Sequence, residues 1–347
     1  MNDTQTEARV RGAVARATGR DSSADPVRRL AGHASLRSYW RVGRRPASFV
    51  VMVMPPGAKP EEVTKGAAPT VDPFVDVQRY LAALGVRVPA IHAFEEEAGL
   101  MVLEDLGDEM LETRLLAGDP PGPLYERAID QLARLRAHAE ARPQGCLAFG
   151  RGFDRDLYRW ELDHFVEWGL EAWKGARLSP AEKAIVDREL DRIARTLEAE
   201  PRGFTHRDYQ SRNLMVLPSG EQAVIDFQDA LLGPRQYDLV ALLRDSYVEL
   251  EPALVEAMLR RYLDRLHAEG GPRLAYEPFR AVFDLLTVQR KLKDAGRFVF
   301  IDRVKKNPGF LPSIPASLRY VRDAFARRPD LAELQAILAR HVPELAR

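Results

Sequence analysis

The stretch from residue 203 to residue 229, GFTHRDYQSRNLMVLPSGEQAVIDFQD, constrains the fold more than any other part of the chain. Residues 213–217 and 223–226 have the pattern of two strands, and the turn residues Pro218-Ser219-Gly220 lie between them, which predicts a β-hairpin. Apolar residues recur at helical spacing on both sides of it. The fold must therefore accommodate a short hairpin with polar ends among helices.

The hairpin brings two oxygen-bearing side chains to one of its ends. Asn213 starts the first strand and Asp226 ends the second, so pairing of the strands places them side by side. Mg²⁺ prefers a few carboxylate or amide oxygens, with water and phosphate oxygens completing its octahedron. The pair is a candidate site for the metal of Mg-ATP. Asp208 lies outside that pair, so it is a candidate to accept the proton of an attacking hydroxyl and to orient it.

The periodicity of the chain changes near residue 106. Before it, residues 38–42, 48–54, 86–94 and 100–104 read as strands, with a helix from Asp72 to about Leu84. After it, helical spacing dominates, in residues 124–139, 154–173, 179–199, 252–268, 274–298 and 331–345. This predicts an α+β, bilobal chain with a small β-rich N-lobe, residues 1–106, a larger helical C-lobe, residues 107–347, and a ligand in the cleft between them.

Composition excludes several classes of protein. The 51 basic and 51 acidic side chains give a formal net charge of +0, so nothing favours nucleic acid or an anionic membrane as partner. The single cysteine, Cys146, predicts neither an internal disulfide nor a cysteine-rich metal site. No signal peptide or membrane-spanning apolar run is present. We therefore expect a cytoplasmic protein with no obligate protein partner.

Two motifs carry a resemblance to a known fold. His206-Arg207-Asp208 with Asn213, followed by Ile225-Asp226-Phe227-Gln228, resembles the catalytic loop and the metal-binding Asp motif of the protein-kinase-like fold. Gln228 stands where protein kinases carry Gly. Only a few residues separate Asp226 from Gly233-Pro234, which leaves no room for a peptide-docking activation loop. The compact form is similar to the aminoglycoside phosphotransferase and choline kinase branch, whose members phosphorylate small molecules.

Within that branch, three segments resemble the bacterial anomeric kinases of N-acetylmuramate and N-acetylglucosamine, which act in cell-wall recycling. They are LEDLGD, DFQDALLGPRQYDLVALLRDS and QRKLKDAGRF. The resemblance covers most of residues 30–330 and implies ATP-dependent phosphorylation of the C1 hydroxyl to a sugar 1-phosphate. It also implies that adenine docks near Glu104 to Leu106, that Mg²⁺ lies between Asp226, Asn213 and the phosphates, and that Asp208 orients the sugar hydroxyl.

The phosphate-binding elements depart from the protein-kinase pattern. The third strand carries Met52 and Met54 where protein kinases have a lysine, although the sugar kinases often lack that lysine too. Arg37 and Arg41 are possible substitutes, and solvated strand positions are an equal alternative. The nucleotide loop GHASLR has a single glycine, Gly32, and is a weak phosphate-binding signal. Lys59 and Lys65, in a Pro- and Gly-rich loop, are expected to be solvated.

Two clusters are candidate contacts for the acceptor. Arg290, Lys293 and Arg297 have i, i+3, i+7 spacing, which suits the lactyl carboxylate of N-acetylmuramate. A solvated basic face is the favoured alternative. A second helical stretch carries aromatic residues that suit stacking on a sugar ring, although core packing is the favoured role; these residues are Trp160, His164, Trp168 and Trp173.

Other functions remain open from the residues alone. A kinase for a cationic acceptor, such as choline, an aminoglycoside or an amino-acid-like molecule, would need a strongly acidic acceptor pocket. The missing third-strand lysine keeps open a catalytically silent nucleotide-binding protein, which the intact Asp208, Asn213 and Asp226 oppose. A metal-dependent hydrolase built on His206, Asp208 and Asp226 ranks last, because no further metal ligands lie nearby in the sequence.

Overall fold

A computed structural model describes residues 3–30, 37–54 and 71–346. The chain divides into two compact units. The first comprises Met1–Glu109 and Met215–Ile225, and the second comprises Met110–Leu214 and Asp226–Arg347. The segment of the hairpin from Met215 to Ile225 therefore clusters with the N-terminal residues, whereas Asn213 and Asp226, which flank it, belong to the second unit.

The first unit is built on an antiparallel sheet of five strands in the order β1-β2-β3-β5-β4. Helix α1 packs on this sheet through Val10, Ala13 and Val14, which meet strand residues that include Trp40 and Val51 in one buried apolar cluster. The elements are α1 (Asp3–Thr18), β1 (Val27–Arg29), β2 (Ser38–Val42), β3 (Phe49–Val53), α2 (Pro73–Ala83), β4 (Ile91–Glu95) and β5 (Leu100–Glu104).

Local sequence explains where these elements begin. Asp72 caps α2 by accepting from the backbone N–H groups of Phe74 and Val75, and Pro73 occupies the first turn, as predicted. Strand β4 begins at Ile91, not at Val86 as the sequence predicted. Pro89 has no backbone N–H and cannot donate to a neighbouring strand, which accounts for the later start.

The second unit is mostly helical. It contains α3 (Leu111–Leu116), α4 (Pro121–Ala141), α5 (Arg155–His164), α6 (Pro180–Glu198), β6 (Arg202–Thr205), the first residue of β7 (Leu214–Val216), β9 (Leu231–Pro234), α7 (Tyr237–Leu243), α8 (Pro252–Ala268), α9 (Tyr276–Lys305), α10 (Ile314–Arg327) and α11 (Ala332–His341), while β8 (Gln222–Val224) lies in the first unit. A π-helix, Phe165–Trp173, continues α5. The predicted helices are confirmed, but α3, α10 and the pairing of β6 with β9 were not predicted.

The predicted hairpin is confirmed, but its strands are shorter than predicted, so Asn213 lies just before β7 and Asp226 lies two residues after β8. Strands β7 and β8 form a two-stranded sheet, and the backbone of Leu217 donates to Glu221 at 2.9 Å across the turn. Hydrogen bonds from Val216 to Glu109 and from Val224 to Arg87, both 2.8 Å, tie the hairpin to the rest of the first unit. Because two strands alone are marginally stable in water, these attachments help to hold its ends in place.

The fold class is confirmed as α+β, with a five-stranded N-terminal sheet and a largely helical remainder. Among the helices that the structure describes, none is long and apolar enough to cross a membrane.

Candidate active site

The loop between β6 and β7 is held by a buried carboxylate at the start of α7. Asp238 accepts the backbone N–H groups of His206 at 2.8 Å and of Arg207 at 2.9 Å, one on each oxygen. Burial raises the pKa of Asp238 although these bonds oppose it. Arg207 has a backbone φ of 82°, a conformation that costs energy for a residue with a side chain. The two bonds from Asp238 help to maintain that turn.

Asp208 follows this turn and presents its carboxylate at the surface of the second unit. Its Oδ1 accepts from Arg290 at 3.0 Å, and its side chain is 38% exposed. Burial opposes ionisation, but the charges of Arg290, Lys293 and Arg207 outweigh it and lower the pKa of Asp208. The carboxylate is therefore ionised at neutral pH, as a proton acceptor must be.

Asn213 and Asp226 lie together, as the hairpin predicted. The Nδ2 of Asn213 is 3.4 Å from the Oδ2 of Asp226 and donates at 2.8 Å to the backbone carbonyl of Asp208. Asp226 is exposed and has a φ of 64°, and its Oδ1 accepts from Gln228 at 2.9 Å. One carboxylate and one amide oxygen suit Mg²⁺, which takes its remaining ligands from phosphate and water. The donor set thus fits the predicted metal.

Sequence reasoning gave no role to a second buried carboxylate below this loop. Asp245 accepts from the backbone N–H of Ser211 at 2.9 Å and from its hydroxyl at 2.5 Å, and burial raises the pKa of Asp245. Asp238 and Asp245 lie seven residues apart in the segment DLVALLRD, which is apolar from Leu239 to Leu243. Asp238 lies in the first turn of α7 and Asp245 lies beyond the end of that helix, so the available signal was a pair of acids flanking a short apolar run.

The residues predicted to bind nucleotide lie in the first unit, except for Asn213 and Asp226. Gly32 lies outside the described residues, as do Lys59 and Lys65. Arg37 is partly buried, and Leu106 is buried. Glu104 pairs its carboxylate with Arg87 and accepts from the backbone of Ala90 at 3.2 Å, so its side chain is already engaged.

Met52 and Arg41 both lie in the sheet of the first unit, in β3 and β2 respectively. Met52 lies in β3 and is fully buried. Arg41 is 7% exposed and pairs with Asp105 and Asp108, both at 2.7 Å. Its guanidinium is therefore occupied within the protein, which weighs against Arg41 as a replacement for the third-strand lysine.

The basic residues of α9 do not form a solvated face. Arg290 is 2% exposed, and the side chain of Lys293 is 13% exposed and lies 3.5 Å from Asp294. The pKa of Lys293 is raised, because Glu161, Tyr237 and Asp294 outweigh the effect of burial. Arg297 lies over the ring of Phe300 at 4.9 Å. The alternative of a solvated stripe is wrong for Arg290, which is buried, and for Lys293, whose side chain is mostly covered.

The aromatic residues of the stretch from 154 to 173 differ from one another in burial. Trp160 is 42% exposed, and Trp168 and Trp173 are partly exposed, so core packing is the wrong role for Trp160. The ring of Trp160 stacks on His164 at 5.7 Å, and the ring of Trp168 meets Phe300 edge-on at 5.1 Å. Helical spacing alone could not separate them from the buried residues of the same stretch.

This arrangement supports phosphoryl transfer to a hydroxyl. Such a reaction needs an ionised carboxylate that can meet the hydroxyl and oxygen ligands that can hold a metal. Asp208 is the partly exposed carboxylate, and Asn213 and Asp226 supply an amide oxygen and a carboxylate. The model of the phosphotransferase enzyme family matches residues 26–276, more than half of the chain. The chain belongs to the phosphotransferase enzyme family.

Relatives and solved structures agree with this assignment. A protein of Pseudomonas aeruginosa named N-acetylmuramate/N-acetylglucosamine kinase is 38% identical over 307 residues, covering 88% of this chain and 86% of the relative. A protein of Pseudomonas putida with the same name is 34% identical, covering 88% and 85%. The crystal structure of choline kinase LicA from Streptococcus pneumoniae has a TM-score of 0.62 at 15% identity, covering 93% of this chain and 99% of that one. The last match shows the shared fold.

Proposed function

We propose that this protein transfers the terminal phosphoryl group of ATP to the anomeric hydroxyl of N-acetylmuramate or N-acetylglucosamine, giving the sugar 1-phosphate, in the cytoplasm and as part of cell-wall recycling. The observation that carries the substrate is the name shared by relatives that are 38% and 34% identical over most of the chain. The observation that carries the reaction is the grouping of Asp208, Asn213 and Asp226 in one unit.

In this proposal, residues 1–106 bind the nucleotide and residues 107–347 supply the catalytic loop and the acceptor site. Gly32 and Arg37 contact phosphates, and adenine docks against the backbone near Glu104 and Leu106. Asn213 and Asp226 would hold Mg²⁺, which neutralises phosphate charge when it is bound.

Asp208 accepts the proton of the sugar hydroxyl and orients its oxygen toward the terminal phosphorus. Phosphoryl transfer has a loose transition state, so positioning and charge neutralisation supply most of the catalysis. Oδ2 of Asp208 is the atom available for this, because Oδ1 accepts from Arg290 and the side chain is 38% exposed. Lys293 is the candidate to attract the lactyl carboxylate of N-acetylmuramate.

The test is ADP release with Mg-ATP over a panel of N-acetylmuramate, N-acetylglucosamine, glucose, choline and an aminoglycoside, followed by phosphorus NMR of the product. We expect turnover with the N-acetyl sugars and a phosphorus signal coupled to the anomeric proton. The matched control is methyl N-acetylglucosaminide, which lacks the free C1 hydroxyl and should be inert. Turnover of that glycoside, or of choline alone, would refute the proposal.

A further inference from the structure

Arg290 lies in the middle of α9 and reaches the catalytic loop with two hydrogen bonds. Its Nη2 donates to the Oδ1 of Asp208 at 3.0 Å, and its Nη1 donates to the backbone carbonyl of Arg207 at 2.8 Å. The guanidinium lies over the ring of Tyr237 at 4.8 Å. A planar guanidinium that donates two bonds and stacks on a ring has little freedom to move. The contact therefore sets both the side chain and the backbone of the loop.

The two arginines of the loop itself, Arg207 and Arg212, have partners other than Asp208. The guanidinium of Arg207 lies 3.5 Å from Glu161, and it is over the ring of Phe153 at 5.8 Å. Arg212 pairs with Glu112 at 2.8 Å and lies over the ring of Tyr247 at 3.5 Å. Within the part of the chain that the structure describes, Arg290 is thus the cation that hydrogen-bonds the Asp208 carboxylate.

We propose that Arg290 is a positioning residue for Asp208, not a contact for the acceptor. This inference rests on the proposed function, in which Asp208 receives the proton of the acceptor hydroxyl. Arg290 donates to Oδ1 and the side chain of Asp208 is 38% exposed, so that one oxygen is anchored and the other is left to meet the hydroxyl. The sequence had assigned Arg290 to the substrate carboxylate, but its Nη1 and Nη2 already donate to Arg207 and Asp208 inside the protein.

The neighbours of Arg290 on α9 hold the helix in register with the loop. The amide of Gln289 donates to Glu161 at 2.7 Å, and Glu161 in turn faces Arg207. The ammonium of Lys291 bonds Asp294 at 2.7 Å and the hydroxyl of Ser246 at 3.2 Å. Because residues on both sides of Arg290 are anchored, the part of the helix that carries Arg290 is held in place beside the loop. Such anchoring is what a catalytic side chain needs from its supporting residues.

The experiment compares Arg290→Ala, Arg290→Lys and a matched control, Arg303→Gln, which removes one positive charge from an exposed position near the end of the same helix. For Arg290→Ala we expect kcat to fall about 100-fold while the KM for ATP and for the acceptor stays within about threefold. Arg290→Lys keeps the charge but not the two-donor fork, so its kcat should lie between that of Arg290→Ala and that of the unaltered enzyme. Arg303→Gln should match the unaltered enzyme.

Chemical rescue separates positioning from folding. Added guanidinium or ethylguanidinium should restore at least about a tenth of the lost kcat of Arg290→Ala, since a small cation can occupy the same place. It should not restore Asp208→Asn. Thermal unfolding and the affinity for Mg-ATP, measured on each variant, report whether the fold survives.

Three outcomes would overturn the inference. A rise in the acceptor KM of Arg290→Ala with kcat unchanged would return Arg290 to the substrate. A loss of kcat without rescue, together with a large drop in melting temperature, would make the role structural only. A crystal structure of Arg290→Ala with Asp208 unmoved would also oppose it. That structure needs no turnover, so it separates this inference from a failure of the sugar-kinase proposal, which the acceptor panel reports.

Discussion

Each compact unit contains a cluster of arginine and aspartate, and the two clusters differ in how many oxygens of the aspartate carboxylate are hydrogen-bonded. In the first unit, Asp105 is 3% exposed and both of its oxygens are bonded: Oδ1 accepts from Arg41 and the backbone of Gly107, and Oδ2 accepts from Ser48. In the second unit, Asp208 bonds Arg290 through Oδ1 alone and is 38% exposed.

The difference lies in how completely each carboxylate is satisfied. A buried charge whose oxygens are all paired within the protein can only stabilise a local arrangement. A charge held on one oxygen, with the other exposed, can still bind or accept a proton. Residue types alone do not distinguish the clusters, since both combine Arg and Asp. If the two clusters differ in function as they do in the number of bonded carboxylate oxygens, substitutions in the first should change stability and substitutions in the second should change catalysis.

The largest expected effect is on the reaction of Asp208→Asn. We expect kcat to fall at least about 100-fold while Mg-ATP binding is retained, because the amide cannot accept the proton but leaves Asn213 and Asp226 in place. Asp226→Asn should lower kcat and, unlike Asp208→Asn, should also weaken Mg-ATP binding. Steady-state kinetics and calorimetric titration with Mg-ATP measure both. Equal and mild effects from the two variants would contradict these roles.

The first cluster should respond in stability instead. Asp105→Ala removes one of the two carboxylate partners of the buried Arg41 guanidinium, so we expect the free energy of unfolding to fall by about 3 kcal/mol. The matched control is Glu95→Ala, which removes the partner of the exposed Arg16 and should cost less than about 1 kcal/mol. Urea unfolding of both variants measures the difference. If Asp105→Ala were as stable as the control, the cluster would not be structural.

Local patterns explain what the sequence predicted well. The hairpin was predictable from nearby residues, since turn residues between two short strands bring Asn213 next to Asp226. Helical periodicity likewise predicted α6, which buries one side, and α9, which is buried continuously from Phe283 to Leu292. The resemblance carried by the same motifs led to the family that the comparisons show.

Contacts between distant segments explain what it missed. Arg290 and Asp208 are 82 positions apart, and no local pattern reveals that their side chains meet. The exposure of Trp160 depends on which side of α5 the rest of the unit covers. The π-helix from Phe165 to Trp173 changes the register at which the later tryptophans emerge, and periodicity assumed an α-helix there.

A smaller effect is expected from the packing of α9, the helix that carries Arg290 of the second cluster. A Cβ added at Gly296 would lie 2.8 Å from the carbonyl oxygen of His164 and from the Cα of Phe165, so α9 packs there against backbone that cannot yield. We expect Gly296→Ala to lower the free energy of unfolding by about 2 kcal/mol. Gly122→Ala in α4, where a Cβ meets nothing within 4 Å, is the control and should be neutral or slightly stabilising. Matching values from chemical denaturation would refute the close packing.

The smallest expected effect is on the pH dependence of stability. Burial opposes ionisation of Asp105, but bonds from Arg41, Ser48 and Gly107 outweigh it and lower its pKa. The folded protein therefore holds this proton less tightly than the unfolded chain, whose Asp pKa is about 3.9. The stabilisation is present above about pH 4 and is lost as the pH falls through the lower folded value.

Asp238 and Asp245 have the opposite sign, because burial raises the pKa of each. Between about pH 4 and their folded pKa values, the native state binds more protons than the unfolded chain, so their contribution to folding improves as the pH falls. Urea unfolding of the unaltered protein and of Asp105→Asn, compared from about pH 6 to about pH 3, isolates the first cluster. The two stabilities should converge at the acid end. A constant gap would mean that Asp105 does not hold its charge through Arg41, and the contrast between the two clusters would then rest on exposure alone.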